Sequence, residues 1–272
     1  MGALRGAVRA LLLVLICVAV GIVGLAISVL RLFGARGDRL ALYGVLWLQR
    51  IWCRALLALL AVRVTVHGRP PSAPCLVVGN HLSYLDIGVL GAQGRMRFVS
   101  KAELAGWPLF GQLARLARVI FLTRGRRRDL VRVGDEIRAS LRAGVPVVFF
   151  PEGTSSPGRD VGPFHPGLLQ PAAEAALPCL PVTLRYETPA RSPPPSLAVC
   201  WWGDMTFPPH FWRLLTLPHV DAEVRWGETP VTGRDRKQLA ARLHEQVAAA
   251  FVPLRQAAVP SAAGCAEVAA AR

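Results

Sequence analysis

The hydrophobic positions of the chain follow two different patterns, and the change comes near residue 63. Before that point apolar residues dominate, most densely from Ala10 to Leu30, where only two glycines and a serine intervene. A helix of that length is about 31 Å long, enough for the hydrocarbon core of a bilayer. A signal peptide is the alternative, but its apolar region is shorter and a small-residue cleavage site follows it, whereas Arg31-Leu32-Phe33 follows here.

A second apolar stretch, Leu40 to Val62, carries arginines on one side. At 100° per residue, Arg39, Arg50 and Arg54 fall within a sector of about 60°. That pattern predicts a helix lying in the membrane interface with its arginines toward phosphate headgroups, or else a buried core helix whose arginines extend to water. Positive charge flanks the first segment on both sides, which favours a hairpin with both ends in the cytoplasm over a single crossing.

After residue 63 short β-rich runs alternate with helical patterns. This alternation predicts an α/β fold, with a mixed, largely parallel sheet flanked by helices and preceded by the N-terminal helical hairpin. The clearest helical patterns span Arg127–Arg142, Gly167–Ala176 and Arg234–Phe251. The strand candidates are Val62–Val66, Cys75–Val78, Met96–Ser100, Val119–Thr123, Val145–Phe150, Cys179–Leu184, Leu197–Trp202 and Val220–Arg225.

Composition narrows the class of protein. With 53% hydrophobic and 18% charged residues and a mean hydropathy of +0.38, a disordered chain is excluded. The formal net charge of +15 calls for an anionic partner. The arginines accompany an apolar run rather than an aromatic stacking platform, which favours an anionic membrane over nucleic acid. The cysteines are widely spaced and form no Cys/His cluster, so no metal site is expected.

The sharpest local chemical pattern is Asn80-His81-Leu82-Ser83-Tyr84-Leu85-Asp86, directly after an apolar strand. A His and an Asp five residues apart meet only where a turn intervenes, and strand ends are where α/β proteins place such groups. His81 is then a candidate general base, with Asp86 fixing its tautomer. The alternative is structural, because Ser83 and Asp86 also have the spacing of a helix capping box.

Two other strand ends carry polar groups. Phe150-Pro151-Glu152-Gly153-Thr154-Ser155 offers a carboxylate, backbone N–H groups and hydroxyls to a polyol or phosphate, or is an ordinary turn. Arg124 follows a third strand and is a candidate anion ligand, since a guanidinium binds an anion with two donors. Lys101 stands out because Lys237 is the only other lysine in the chain.

These blocks, in this order, resemble the glycerophospholipid acyltransferase family, including the bacterial 1-acyl-glycerol-3-phosphate acyltransferases. The resemblance covers roughly residues 60 to 230. His81 through Asp86 is similar to the family's HxxxxD motif, 121–124 to its second block, 150–155 to its third and 181–184 to its fourth. Many phosphatidic-acid-forming members have Glu-Gly-Thr-Arg in the third block, whereas Ser155 stands in the place of that Arg here. The loop Ser156–Gly167, which ends Pro163-Phe164-His165-Pro166-Gly167, is more similar to members that include lyso-ornithine-lipid acyltransferases.

The resemblance implies transfer of a fatty acyl group from acyl-CoA or acyl carrier protein to a lysolipid hydroxyl, without a metal or redox cofactor. It implies lysophosphatidic acid as the acceptor, with lyso-ornithine lipid or another lysolipid as the alternative. A basic membrane-binding protein without catalytic activity is the alternative from another class. The implied catalytic residues are His81, Asp86 and Lys101, and the implied substrate-binding residues are Asn80, Ser83, Arg124, Glu152, Gly153 and Thr154.

The expected organisation has three parts. Residues 1–62 form the membrane anchor, 63–253 the acyltransferase domain and 254–272 a disordered tail. The expected location is the bacterial inner membrane, with the catalytic domain in the cytoplasm.

Overall fold

A computed structural model describes residues 2–123 and 127–257, apart from the side chain of Arg127. Its helices are α1 (Gly2–Ser28), α2 (Gly34–Leu59), α3 (Leu85–Gln93), α4 (Phe110–Leu116), α5 (Arg127–Arg142), α6 (Gln170–Glu174), α7 (Pro195–Ala198), α8 (Phe207–Thr216) and α9 (Arg236–Ala250). Its strands are β1 (Val62–His67), β2 (Leu76–Gly79), β3 (Arg97–Lys101), β4 (Ile120–Leu122), β5 (Val147–Phe149), β6 (Cys179–Glu187) and β7 (Val220–Trp226).

The strands form one mixed, mostly parallel sheet in the order β1-β7-β6-β2-β5-β3-β4. The β6–β7 pair is antiparallel, whereas the neighbours from β6 through β4 run parallel. Four consecutive parallel strands, β2, β5, β3 and β4, therefore end at the same edge of the sheet. This arrangement places the predicted chemical blocks next to one another, although they are far apart in the sequence.

The sheet is covered on both faces, as the predicted α/β class requires. Along β2, Val77 packs into the cluster that includes residues of α2, α3 and α8. Its neighbours Leu76 and Val78 pack into the opposite cluster, with residues of α5, α6 and α9. Successive side chains of a strand point to opposite faces, so an uninterrupted apolar strand such as β2 is expected wherever both faces are buried.

The N-terminal region is a helical hairpin, as predicted. No proline occurs before Pro70, so nothing in the sequence breaks either helix. A short 3₁₀ turn joins them, and a side chain at Gly37 would bring a Cβ within 1.9 Å of the Leu30 carbonyl oxygen. Only glycine permits this close turn between the two helices.

Helix α1 contacts the α/β domain at both of its ends. Near its start, Arg9 Nη1 donates to the carbonyl oxygens of Leu215 (3.1 Å) and Leu217 (2.6 Å). These oxygens belong to the end of α8, where helix geometry supplies no partner and a positive charge is favourable. Near its other end, Gly21 and Gly24 lie against leucines of α4. The helix therefore runs along the domain rather than projecting from it.

Two predictions from the sequence are wrong. The apolar run Leu197–Trp202 is not a strand, because the N–H groups of residues 197–200 donate to the carbonyls of Pro194 and Pro195 and close a short helical turn. The tail does not begin at residue 254, because Leu254 is buried and its N–H donates to the Gly158 carbonyl at 2.8 Å. The packed chain continues to residue 257 at least, and residues 258–272 lie outside the described part.

The buried guanidinium of Arg9 gives a stability prediction. Arg9→Ala leaves the last carbonyls of α8 without donors under a helix that excludes water, so we expect the free energy of unfolding to fall by about 2–4 kcal/mol. Thermal and denaturant unfolding in mild detergent measures this loss. The control is Arg36→Ala, an exposed arginine of α2, which should change stability by less than about 0.5 kcal/mol. Equal losses in both variants would contradict the capping role of Arg9.

Candidate active site

His81 and Asp86 meet at the end of β2, as the sequence predicts. His81 Nδ1 lies 2.7 Å from Asp86 Oδ2. The chain turns between them, so that His81 lies in the loop and Asp86 in the first turn of α3. Because an ionised carboxylate only accepts hydrogen bonds, Nδ1 carries the proton and Nε2 is left as the basic ring nitrogen.

The structural alternative for Asp86 is also realised. Its Oδ2 accepts the backbone N–H groups of Leu82 (2.8 Å) and Ser83 (3.0 Å) at the start of α3. In return, Ser83 Oγ accepts the N–H of Leu85 at 3.2 Å. The Asp86 carboxylate thus binds the backbone of the loop just before α3 and also binds the imidazole of His81. The two hypotheses from the sequence describe the same group of contacts.

The imidazole of His81 is held on its other sides by the loop after β5. The ring stacks on Phe150, with centroids 4.4 Å apart and planes 10° from parallel. The His81 N–H donates to Glu152 Oε1 at 2.7 Å, and its carbonyl accepts the N–H of Ser156 at 3.0 Å. The first and third sequence blocks therefore form a single rigid unit around His81.

Glu152 supports this unit rather than facing the substrate. Its Oε1 bonds to His81 and its Oε2 accepts the Gly162 N–H at 3.0 Å, so both oxygens bind backbone. Burial raises the pKa of the Glu152 carboxyl to about 7. The two backbone N–H donors favour its charged form and so oppose part of this rise. The predicted contact between Glu152 and an acceptor headgroup is thus replaced by a contact that ties two loops together.

Asn80 and Ser83 are also turned inward, away from where a substrate was predicted. Asn80 Nδ2 donates to the Leu184 carbonyl (3.0 Å) and Asn80 Oδ1 accepts the Leu184 N–H (2.8 Å), so its amide is fully paired with β6. Ser83 is completely buried. Asn80 holds the loop to β6, which lies beside β2 in the sheet, whereas Ser83 holds the loop through its local hydrogen bonds with Leu85 and Asp86.

A cavity of about 450 Å³ opens next to His81. Lys101, at the end of β3, and Gly153 line it, as predicted, whereas Thr154 is exposed and is not part of its wall. Gly153 has φ +70°, a conformation that favours glycine at this close turn. Arg124 lies outside the described residues, so its predicted contact with the acceptor stays a prediction.

A second cavity of about 160 Å³ adjoins the first and is almost entirely apolar. Its walls come from α1, α2, α3, α4 and α8, and it shares Tyr84, Ile87, Ser100, Leu104 and Trp107 with the cavity at His81. The hairpin therefore forms part of the site. Together the two cavities offer a polar end at the imidazole and an apolar end between the helices.

Sequence reasoning missed the aromatic side chains where the two cavities meet. Tyr84 lies within 5.3 Å of the ring of Phe207, and Trp107 within 4.8 Å of the same ring. Tyr84 also hydrogen-bonds to His210 at 2.9 Å, and burial lowers the pKa of that histidine to about 4. A weak signal existed, because Trp201, Phe207 and Phe211 cluster in one polar-poor stretch.

Metal-binding chemistry has no candidate in the described part of the chain. No group of three or more His, Cys, Asp or Glu side chains there is arranged to hold an ion. The expectation that the protein uses no metal or redox cofactor stays a prediction.

Similarity to known proteins agrees with this geometry. The Acyltransferase family model matches residues 63–185, the stretch that carries the dyad and the loop around it. A lyso-ornithine lipid O-acyltransferase of Pseudomonas aeruginosa is 35% identical over 74% of this chain and 76% of its own length. A 1-acyl-sn-glycerol-3-phosphate acyltransferase of Neisseria meningitidis is 35% identical over 63% of this chain and 67% of its own length.

The fold has a solved counterpart. The crystal structure of the 1-acyl-sn-glycerophosphate (LPA) acyltransferase PlsC from Thermotoga maritima superimposes with a TM-score of 0.61 at 23% identity, covering 89% of this chain and 96% of that one. The match includes the N-terminal hairpin region, because 89% of the chain exceeds the α/β domain alone. On the strength of the family model and the relatives, the chain belongs to the acyltransferase family of lysolipid-acylating enzymes.

Proposed function

We propose that this acyltransferase moves a fatty acyl group from an acyl thioester, acyl-CoA or acyl carrier protein, to the hydroxyl of a lysolipid. The observation that carries the proposal is the buried Asp86 carboxylate that holds His81 in the wall of one cavity, which adjoins a second, apolar cavity. A non-catalytic membrane-binding protein has no need for an oriented imidazole beside an apolar cavity.

The chemistry needs one base and no covalent enzyme intermediate. His81 Nε2 takes the proton of the acceptor hydroxyl while the oxygen attacks the thioester carbonyl carbon. The tetrahedral intermediate then breaks its carbon–sulfur bond, and the leaving thiolate takes the proton from the imidazolium. Asp86 stabilises the transient positive charge on the ring. The products are the ester and the free thiol.

The oxyanion that develops on the thioester carbonyl requires hydrogen-bond donors. The loop that carries His81 has few backbone N–H groups available for this role. The N–H groups of Leu82 and Ser83 are bound to Asp86, and that of His81 is bound to Glu152. Lys101, which lines the same cavity, is therefore our candidate for this role.

The apolar cavity suits a fatty acyl chain. Its lining is apolar on nearly every side, and α1 and α2 close one wall with Val20, Val45 and Leu48. Burial of methylene groups contributes about 0.8 kcal/mol each, so a long chain gains much of its binding energy there. The cavity adjoins the one lined by His81, so an acyl chain bound in it would have its thioester end directed toward the base.

For the acceptor we favour lyso-ornithine lipid. Among the described residues that line the cavity, Lys101 and Glu103 supply one cation and one acid besides His81. An ornithine headgroup carries a carboxylate and an ammonium, which this pair complements. The P. aeruginosa relative and one from Brucella abortus, 35% identical over 75% of this chain, are lyso-ornithine lipid O-acyltransferases. Ser155, in place of an arginine, agrees with a phosphate-free headgroup.

Lysophosphatidic acid, giving phosphatidic acid, is the second candidate acceptor. Its support is the N. meningitidis relative and the cation of Lys101 at the cavity wall. Against it stands the Glu103 carboxylate, which repels a phosphate dianion.

We further propose that the hairpin lies within one leaflet of an anionic membrane, on the cytoplasmic side of the bacterial inner membrane where the thioester donors are found. The most apolar 18-residue window of Gly2–Leu59 has a mean hydropathy of 3.1 and is only 17% buried. Leu11, Ile22 and Leu25 of α1 are each more than 60% exposed. A helix held along the domain at both ends cannot cross a bilayer without carrying the domain into it.

Arginines next to this apolar face fit phosphate headgroups. Arg50 and Arg54 of α2 both point their Nε atoms at the Ala92 carbonyl (3.3 and 3.4 Å), and Arg95 lies over the Tyr43 ring. Among the described residues none of the three forms an ion pair within 4.0 Å. The exposed Trp47 on the same helix is typical of the interface between water and lipid.

The first test concerns the base. His81→Ala should lower turnover by about 10²–10⁴-fold while the fold and membrane association are kept. Asp86→Asn should also be severe, because it disturbs the tautomer of His81. His67→Ala, at the exposed edge strand β1, is the matched control and should keep the wild-type rate. If His81→Ala retained more than about half of that rate, the general-base assignment would be wrong.

The second test concerns the acceptor, with both lysolipids offered to detergent-purified enzyme in competition. Glu103→Gln should raise the KM for lyso-ornithine lipid by about tenfold, the loss of one charge-assisted hydrogen bond, and should not raise that for lysophosphatidic acid. Glu245→Gln, an exposed glutamate of α9, is the control. Wild-type preference for lysophosphatidic acid, unchanged in Glu103→Gln, would favour the second candidate instead.

The third test concerns the membrane. Replacing Leu11, Ile22 and Leu25 together with Gln should weaken binding to anionic vesicles by at least about tenfold, since each buried leucine or isoleucine contributes about 1.5–3 kcal/mol. Val131 and Val252 are also exposed but lie on the α/β domain, and their double change to Gln should leave binding unchanged. Vesicle sedimentation measures both. Equal loss in the two variants would rule out α1 as the docking face.

A further inference from the structure

The carboxylate of Asp86 has a second oxygen that does not face His81. This Oδ1 accepts a hydrogen bond of 2.7 Å from the hydroxyl of Tyr186 on β6. Both side chains are completely buried. Tyr186 does not line the cavity at His81, so it can influence the reaction only through Asp86.

The direction of this hydrogen bond is fixed. Burial, together with the neighbouring Asp86 charge, raises the pKa of Tyr186 far above its ordinary value, so the hydroxyl keeps its proton. A carboxylate in its charged form has no hydrogen to give. Tyr186 is therefore the donor in this pair.

The position of Tyr186 is fixed as well. Strand β6 pairs with β2 on one side and β7 on the other, with Tyr186 opposite Ala222 of β7. Two residues earlier on the same strand, Leu184 exchanges two hydrogen bonds with the Asn80 amide. The segment from Asn80 to Asp86 is thus held to β6 at two points. The Asn80 amide binds the backbone of Leu184, and the Tyr186 hydroxyl binds Asp86.

We propose that Tyr186 is a positioning residue for catalysis, whose hydroxyl fixes the rotation of the Asp86 carboxylate and draws off part of its negative charge. With its Oδ1 bound to the tyrosine hydroxyl, the Asp86 carboxylate directs its Oδ2 at His81 Nδ1. This contact keeps the Nε2 atom of His81 toward the cavity. The inference rests on the proposed role of His81 as general base, and it adds a third member to the His–Asp pair.

The test is Tyr186→Phe, which removes the hydroxyl and keeps the ring. The loss of a hydrogen bond to a buried charge should lower kcat by about tenfold. The KM values for thioester and lysolipid should stay within about twofold, because Tyr186 touches neither cavity. A carboxylate with one donor fewer attracts the imidazolium more strongly. The acid limb of the pH profile of kcat/KM should therefore move to higher pH by about half a unit or more.

That shift distinguishes positioning from a merely structural role. Tyr43→Phe is the matched control, because it also removes a tyrosine hydroxyl bonded inside the protein, to the Ala143 carbonyl. It should leave the acid limb in place, whatever its effect on stability. Glu152 and Cys200 are the other titratable groups near Asp86, and both are present in every variant. Because Glu152 itself titrates near neutral pH, the profiles are compared between variants rather than interpreted singly.

Two further measurements complete the test. In an Asp86→Asn background, Tyr186→Phe should cause no additional loss of kcat, since its effect passes through the carboxylate. Should Tyr186→Phe fail to fold, 3-fluorotyrosine incorporated at position 186 is a stronger donor of nearly the same shape. It should move the acid limb to lower pH.

The outcomes separate this inference from the proposed function. A shifted acid limb with non-additive loss supports the positioning role. An unmoved limb, or full additivity with Asp86→Asn, overturns it while leaving His81 as the base if His81→Ala is inactive. Activity retained by His81→Ala overturns the proposed mechanism and this inference together.

Discussion

The Asp86 carboxylate is completely buried, and a buried charge persists only where hydrogen-bond donors surround it. Four donors do so: the imidazole of His81, the N–H groups of Leu82 and Ser83, and the hydroxyl of Tyr186. They come from the loop after β2 and from β6. The carboxylate therefore fixes the loop conformation, the start of α3 and the orientation of His81 at once, so the site and the sheet beneath it depend on one charge.

A second layer of polar contacts surrounds this charge and explains why loop residues so close to His81 face inward. Asn80 binds β6 and Glu152 binds the backbone of two loops. Each side chain satisfies backbone groups that would otherwise be buried without partners, which costs about 1–3 kcal/mol per group. Asn80 and Glu152 look like substrate ligands in the sequence, but here they bind backbone groups around His81, whereas Lys101, Glu103 and Gly153 line the cavity.

The hairpin contributes to the cavities and also presents an apolar outer face. Its inner face closes the apolar cavity and, through Arg9, caps α8, while its outer face leaves leucines and isoleucines exposed. An apolar patch of that extent is stable only against lipid or another protein. The hairpin and the two cavities are therefore parts of one packed structure.

The sequence by itself determined the α/β class, the apolar hairpin and the strand-end positions of His81, Asp86, Glu152 and Lys101, because these depend on local periodicity and on turn chemistry. Only the tertiary structure decided what each group touches. Asn80 turns inward because β6 lies beside β2, and Leu197–Trp202 lies outside the sheet because its N–H groups close a helical turn on Pro194 and Pro195. Tyr186 lies 100 residues from Asp86. No local pattern reveals such a pairing, since strand order alone brings the two side chains together.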